Sequence, residues 1–292
     1  MPMPELPESR SQFHEFNGLR HHVRLWGADD APALFLLHGW MDASASFQFV
    51  VGQLQRDWRV IAPDWRGCGL SGRPAGGYWF PDYYADLDAL LDCYSPDRPA
   101  QVVGHSMGGL IACTYAGIRP QRVAQLISLE GFGLARTQPG DAVPRLRKWL
   151  DELDGTPRFR DYDSFAAFAE RLRRDNPRLN DIRALAVARA WARETADGRV
   201  EPLHDPRHKR ANPVLFRLEE LLACWRECTA PVLWVFARDS KGSGYLSDTP
   251  EQLAERKGAF RDFSEAWIED AGHMMHHDQP AAVARLIEDF MT

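Results

Sequence analysis

The stretch Gln101-Val102-Val103-Gly104-His105-Ser106-Met107-Gly108-Gly109-Leu110-Ile111-Ala112-Cys113 decides the fold. Its opening residues read as the end of a buried strand, and its apolar continuation reads as a helix packed on a sheet. Between them lies Gly-x-Ser-x-Gly. A strand-to-helix turn of that kind is sharp enough to hold its serine in strained backbone geometry, with the hydroxyl exposed. The flanking glycines are needed because side chains there would collide across the turn. The helix that follows aims free backbone N–H groups and its positive dipole end at the serine. Ser106 is therefore the candidate nucleophile; the bland alternative is a glycine-rich connection between strand and helix.

Working outward, the same alternation of strand and helix recurs. Toward the N-terminus, residues 11–16 and 19–26 alternate as two strands about Asn17-Gly18, which predicts an antiparallel hairpin at a sheet edge. His21 and His22 point to opposite faces there and read as ordinary strand residues. Ala33-Leu34-Phe35-Leu36-Leu37 is a continuous apolar run, as in a strand buried on both faces, and it ends in His38-Gly39-Trp40-Met41-Asp42. Residues 47–54 predict a short helix and residues 58–62 the next strand, followed by the glycine-rich loop Asp64-Trp65-Arg66-Gly67-Cys68-Gly69-Leu70-Ser71. That loop lacks the strand–helix context and third glycine of a dinucleotide fingerprint. Toward the C-terminus, residues 123–129 form a strand ending at Glu130, residues 231–237 one ending before Asp239, and residues 265–269 one leading to Gly272-His273. A helix over 281–290 closes the chain.

Between about 135 and 228 strand-like runs give way to amphipathic helical spacing: Leu146/Trp149/Leu150/Leu153, Phe165/Phe168/Leu172, Ile182/Leu185/Ala186 and Leu218/Leu221/Leu222/Trp225. The pattern predicts an α/β fold, a doubly wound and mostly parallel sheet, interrupted by one helical block. The expected division is a core of residues 1–134 and 229–292 and an inserted block of 135–228. Sites in open parallel sheets lie at the carboxyl ends of the strands. Trp40, Ser106, Glu130, Asp239 and His273 all fall in turns leaving that edge.

A serine hydroxyl needs a base to take its proton, and histidine does this best near neutral pH. His273 follows a strand late in the chain, as the order serine, acid, histidine requires. His105 adjoins the serine but reads as a packing residue. His276 and His277 cluster with His273; without a matching carboxylate pattern they are not read as a metal site. Two residues compete for the acid that orients the base: Glu130, whose bland reading is a carboxylate bonding strand-end N–H groups, and Asp239, whose bland reading is the solvated loop Arg238-Asp239-Ser240-Lys241-Gly242. Backbone N–H groups of Met107 and Trp40 are the expected oxyanion donors.

Taken together these segments resemble the α/β-hydrolase superfamily over nearly the whole chain. His38-Gly39-Trp40 is similar to its oxyanion loop, Asp64-x-Arg66-Gly67-x-Gly69-x-Ser71 to its loop after the fourth strand, and Gly104-His105-Ser106-Met107-Gly108-Gly109 to its nucleophile elbow. Gly272-His273 matches its terminal histidine. The resemblance implies a serine hydrolase with a helical cap over the site. The family's usual acid follows the penultimate strand within Gly-x-x-Asp-x-x-x-Pro, and Ala237-Arg238-Asp239-Ser240 departs from that pattern. A branch resembling haloalkane dehalogenases places the acid one strand earlier, where Glu130 stands, and this favours Glu130. A serine nucleophile implies acyl transfer to water from a small, largely apolar ester or acyl compound, with hydrolysis of a C–C bond beside a carbonyl as a variant. No cofactor and no metal is expected. The rival from another class is a ligand receptor on this fold with slow or single-turnover chemistry.

Composition bounds the partners. Forty-five per cent of the 292 residues are hydrophobic, enough for a large core, and a net charge of −6 argues against a nucleic-acid footprint. No apolar run spans a membrane, and the first residues carry no basic stretch followed by an apolar one, so no secretory signal is expected. Cys68, Cys93, Cys113, Cys224 and Cys228 form no CxxC pair and are odd in number, which predicts reduced thiols in a cytoplasmic protein acting on a small molecule.

Overall fold

A computed structural model describes residues 6–155, 157–240 and 248–291. The chain opens with the hairpin β1 (Arg10–Phe16) and β2 (Leu19–Trp26). Its turn residues Asn17 and Gly18 both take positive φ, 53° and 69°, the geometry that matches a two-residue turn to strand twist. Then follow β3 (Ala33–Leu37), the short helix α1 (Gln48–Val51), β4 (Arg59–Pro63), α2 (Phe80–Tyr94), β5 (Ala100–His105), α3 (Met107–Ile118) and β6 (Val123–Leu129). After a long excursion come β9 (Val232–Ala237), α8 (Pro250–Lys257), β10 (Phe263–Ile268), α9 (Met275–Asp278) and α10 (Pro280–Phe290). The excursion holds α4 (Ala142–Leu153), α5 (Phe165–Asp175), α6 (Asp181–Trp191), β7 (Ala192–Glu194), β8 (Val200–Pro202) and α7 (Leu218–Glu227).

Eight strands form one sheet in the order β1-β2-β4-β3-β5-β6-β9-β10. The first three are joined antiparallel and the rest run parallel. Central strands are buried on both faces, which explains their unbroken apolar runs. One face packs Phe35, Val102, Leu126 and Trp234 against α2, α3 and α7. The other packs Leu36, Val103, Ile127 and Val235 against α10. Two layers of helix on one twisted sheet thus bury both faces, and every parallel strand delivers its carboxyl end to the same edge.

Two expectations need correction. The block between β6 and β9 is not wholly helical: β7 and β8 pair antiparallel, and Tyr162 bridges to Val200 beside them. Strands of three residues are too short to show a period. Packing also joins α7 to the core rather than to the block expected over 135–228. Leu218, Leu222 and Trp225 are buried in the main cluster, with the Trp225 ring 5.7 Å from that of Trp234. Gly117 on α3 permits this approach, because a Cβ there would lie 1.8 Å from the carbonyl oxygen of Cys224. Phe168, Leu172 and Val187 instead form a second cluster that takes in Phe49 of α1.

Candidate active site

The turn between β5 and α3 is tight for a visible steric reason. Ser106 sits at φ 50°, ψ −116°, a conformation that an L-residue holds only under constraint. A Cβ on Gly104 would lie 2.5 Å from Gly108, and one on Gly108 would lie 2.3 Å from the Leu37 carbonyl oxygen. Gly39 and Gly131 press on the turn from either side; Cβ atoms there would come 3.2 Å from Cβ and 2.6 Å from the backbone oxygen of Ser106. Glycines from three strand-end turns therefore let the loops after β3, β5 and β6 converge.

His273, in the loop after β10, comes to that point. Its Nε2 lies 3.0 Å from Oγ of Ser106, and its Nδ1 lies 3.4 Å from Oε2 of Glu130. Glu130 is buried and takes a positive φ of 53°, which turns its side chain back over the strand ends. Two donors pin it: the Ala237 N–H donates to Oε1 at 2.9 Å, and the Ser240 hydroxyl to Oε2 at 2.5 Å. Asp239 is not brought to His273. Its side chain is about half exposed and accepts from Arg178 at 2.8 Å. The rest of its expected loop, residues 241–247, lies outside the described residues. Ser240 was not among the residues singled out from sequence; a serine after a strand carries no signal of a bond to a carboxylate some hundred residues away.

The loop after β3 is fixed from below. The His38 ring accepts from the Trp65 N–H at 2.9 Å, and the Trp65 indole donates to the His38 carbonyl at 2.9 Å. Asp64 takes the backbone N–H groups of Ser44 and Leu70, at 2.7 and 2.8 Å, and sits 2.7 Å from Nδ1 of His22. These bonds to its charged form hold the Asp64 carboxyl well below the ordinary range despite complete burial. His22 is thus a buried partner rather than an ordinary strand residue. Arg66 forks onto Asp86 at 2.6 and 2.7 Å. The Asp64-to-Ser71 loop is a brace, consistent with its lack of nucleotide-binding context.

Above the serine opens a cavity of about 690 Å³. Ser106, Met107, Leu110, Glu130 and His273 line it together with Trp40, Phe80 and Tyr83. The excursion contributes Trp149 and Leu153 of α4 and Arg207, His208 and Asn212 to the lining. Of the excursion's other aromatic residues, Phe165 and Phe168 pack in that second cluster. Trp191 donates its indole N–H to Asp42 at 3.0 Å. Arg207 is paired with Asp205 at 2.6 Å, and Arg210 donates to the Gly155 carbonyl at 2.6 Å, so the polar rim is largely engaged within the protein.

Residues 32–280 match the family described as the alpha/beta hydrolase fold. The chain belongs to the α/β-hydrolase family. A protein named "Serine hydrolase-like protein" from Danio rerio is 29% identical over 278 residues, covering 92% of this chain and 84% of its own. Among solved structures, the "Thioesterase Domain From Curacin Biosynthetic Pathway" superposes with a TM-score of 0.86 at 27% identity, covering 97% of this chain and 99% of that one. "E-2-(Acetamidomethylene)succinate Hydrolase" superposes with a TM-score of 0.76 at 22% identity, covering 97% and 99%, a likeness of fold. Among this chain's described residues no helix is long and apolar enough to cross a membrane, and all five cysteines are free thiols.

Proposed function

We propose that this α/β-hydrolase cleaves a small, largely apolar ester through an acyl-enzyme on Ser106. The observation that supports the reading most is the line Ser106 Oγ, His273 Nε2 and Nδ1, Glu130 Oε2, with separations of 3.0 and 3.4 Å in the cavity lining. In the proposed reaction His273 takes the hydroxyl proton as Ser106 Oγ attacks the acyl carbon, and Glu130 steadies the imidazolium through Nδ1–H. The backbone N–H groups of Met107 and Trp40 are the proposed donors to the oxyanion. Collapse expels the alcohol, protonated by His273, and a water activated by the same base releases the acid. Nothing in this cycle calls for a cofactor. The apolar lining from Trp40, Leu110, Trp149 and Leu153 suits the acyl chain, so the part over the cavity is assigned the role of a cap. A thioester is the second candidate bond, favoured by likeness to a thioesterase domain at 27% identity. Five unpaired thiols support a reducing, cytoplasmic setting.

Fluorophosphonate labelling with peptide mapping tests the nucleophile. The adduct is expected on Ser106, and Ser106→Ala should lose both labelling and turnover of short p-nitrophenyl esters. An adduct that survives in Ser106→Ala removes the assignment, and a single burst without turnover in the parent protein favours a ligand receptor instead.

A further inference from the structure

Next to the serine turn, and not among the residues that line the cavity, three buried groups face one another with their ligand atoms unused. Asp42, His105 and His276 each offer one atom, and the three atoms lie within 4.8 Å of one another. All three residues are at most 2% exposed. Among the described residues Oδ2 of Asp42, Nδ1 of His105 and both ring nitrogens of His276 are buried without a hydrogen-bond partner. Several orphaned polar atoms at one place is unusual, since buried polar groups in proteins are nearly always satisfied.

The surroundings resemble the outer shell of a metal site. Oδ1 of Asp42 accepts from the Ala43 N–H at 2.7 Å, from the Trp191 indole at 3.0 Å and from the Ser46 hydroxyl, which leaves Oδ2 turned away from them. Nε2 of His105 donates to the His273 carbonyl at 2.8 Å, so its lone pair is on Nδ1. A ligating histidine commonly gives its other N–H to a backbone carbonyl in this way. Nε2 of His276 and Oδ2 of Asp42 are 3.4 Å apart without hydrogen-bond geometry. Two donors at about 2.0–2.1 Å from one tetrahedral ion are separated by about that distance.

We infer that Asp42, His105 and His276 form a buried site for a divalent transition-metal ion of zinc type. Two imidazoles and one carboxylate suit zinc and its neighbours rather than magnesium or calcium, which take oxygen cages. The site ties the loop after β3 to the serine turn and to the segment bearing His273, so its role is to hold the catalytic loops together and not to touch substrate. It differs from the grouping of His273, His276 and His277 considered from sequence, because Asp42 supplies the carboxylate and His273 takes no part.

Cobalt(II) tests the site. Full-length protein is unfolded in guanidinium with EDTA, refolded, and titrated with Co²⁺ while the visible spectrum is recorded. One equivalent per chain with d–d bands is expected, and a crystal grown from that material should show a cobalt-edge anomalous peak between the three side chains. His276→Gln and Asp42→Asn should bind Co²⁺ at least tenfold more weakly, since loss of outer-shell partners alone costs about that much. No anomalous peak at that position, or a folded His276→Gln that binds as tightly as its parent, overturns the inference. Where neither variant folds, the anomalous map of the parent protein decides. Fluorophosphonate labelling of Ser106 is read separately, so failure of the metal site and failure of the nucleophile are distinguishable.

Discussion

Glu130 holds a backbone conformation that few non-glycine residues adopt, at φ 53°, and it does so next to Ser106 at φ 50°. Each such residue costs on the order of 1–3 kcal/mol, so the surroundings must over-determine both. For Glu130 they do: Ala237 N–H and the Ser240 hydroxyl fix its two oxygens. Asp239 spends its carboxylate on Arg178 at a half-exposed site. Glu130→Gln should therefore lower kcat by about 10⁴, as loss of a triad acid does when the imidazole loses its productive tautomer. Asp239→Asn should change it by less than about tenfold, because an exposed ion pair contributes little. Steady-state kinetics on both folded variants checks this, and the reverse ranking would transfer the role to Asp239. The meeting of Ser106 and His273, 3.0 Å apart, was legible in the sequence because a steric motif and a chain order single them out. The two carboxylates were not separable, because both end neighbouring strands. Contact with His273 or with Arg178 is a long-range fact that no local spacing encodes.

At the scale of elements, helical and strand periods were readable wherever a segment was long enough to repeat its burial. Strand β5, α3 and the amphipathic α4, α5 and α6 all fall where that pattern predicts. The hairpin β7–β8 was too short to announce itself. The allegiance of α7 was hidden for a different reason: Leu218, Leu222 and Trp225 make the same stripe whether they face a sheet or another helix. α4 is the element we propose as bearing on specificity. None of its residues is fully buried, yet Trp149 and Leu153 line the cavity over Ser106. Trimming them should therefore reshape the pocket without unfolding the protein. Trp149→Ala and Leu153→Ala should shift the ratio of kcat/KM for long against short p-nitrophenyl esters by roughly 10-fold, the effect of about 1–3 kcal/mol of apolar contact. Labelling of Ser106 should stay near the parent rate. Unchanged chain-length preference in both variants would remove α4 from the acyl pocket.

Over the whole molecule, the alternation of strands and helices disclosed the sheet and the edge where its turns converge. What it could not disclose is how many histidines the fold takes out of water. His21, His204 and His277 are buried and His208 is half-buried in the cavity wall, and desolvation, the largest cause for each, lowers His21 and His208 to about 4 and His204 and His277 to about 3. In the unfolded chain each titrates near pH 6.5. Their folded values are depressed, so between about pH 6.5 and 4 the unfolded chain binds protons that the folded chain refuses. Stability must then fall as pH falls through that window. Buried carboxylates such as Asp64, held far below their ordinary range, lose their contribution only at lower pH, so the window belongs to the histidines. Going from pH 6.5 to 5.5 removes on the order of 1 kcal/mol per histidine. For a chain of this size each kcal/mol is worth roughly 2 °C in Tm. The expected drop in Tm between pH 7.5 and 5.5 is therefore about 5–10 °C by scanning fluorimetry. His204 has neither ring nitrogen hydrogen-bonded among the described residues, so His204→Leu removes a titrating group with no bond to lose. That variant should show a visibly smaller drop than its parent. A Tm that is flat or rises on acidification to pH 5.5 would mean that these histidines accept protons in the folded state, and the burial assigned to them would be wrong.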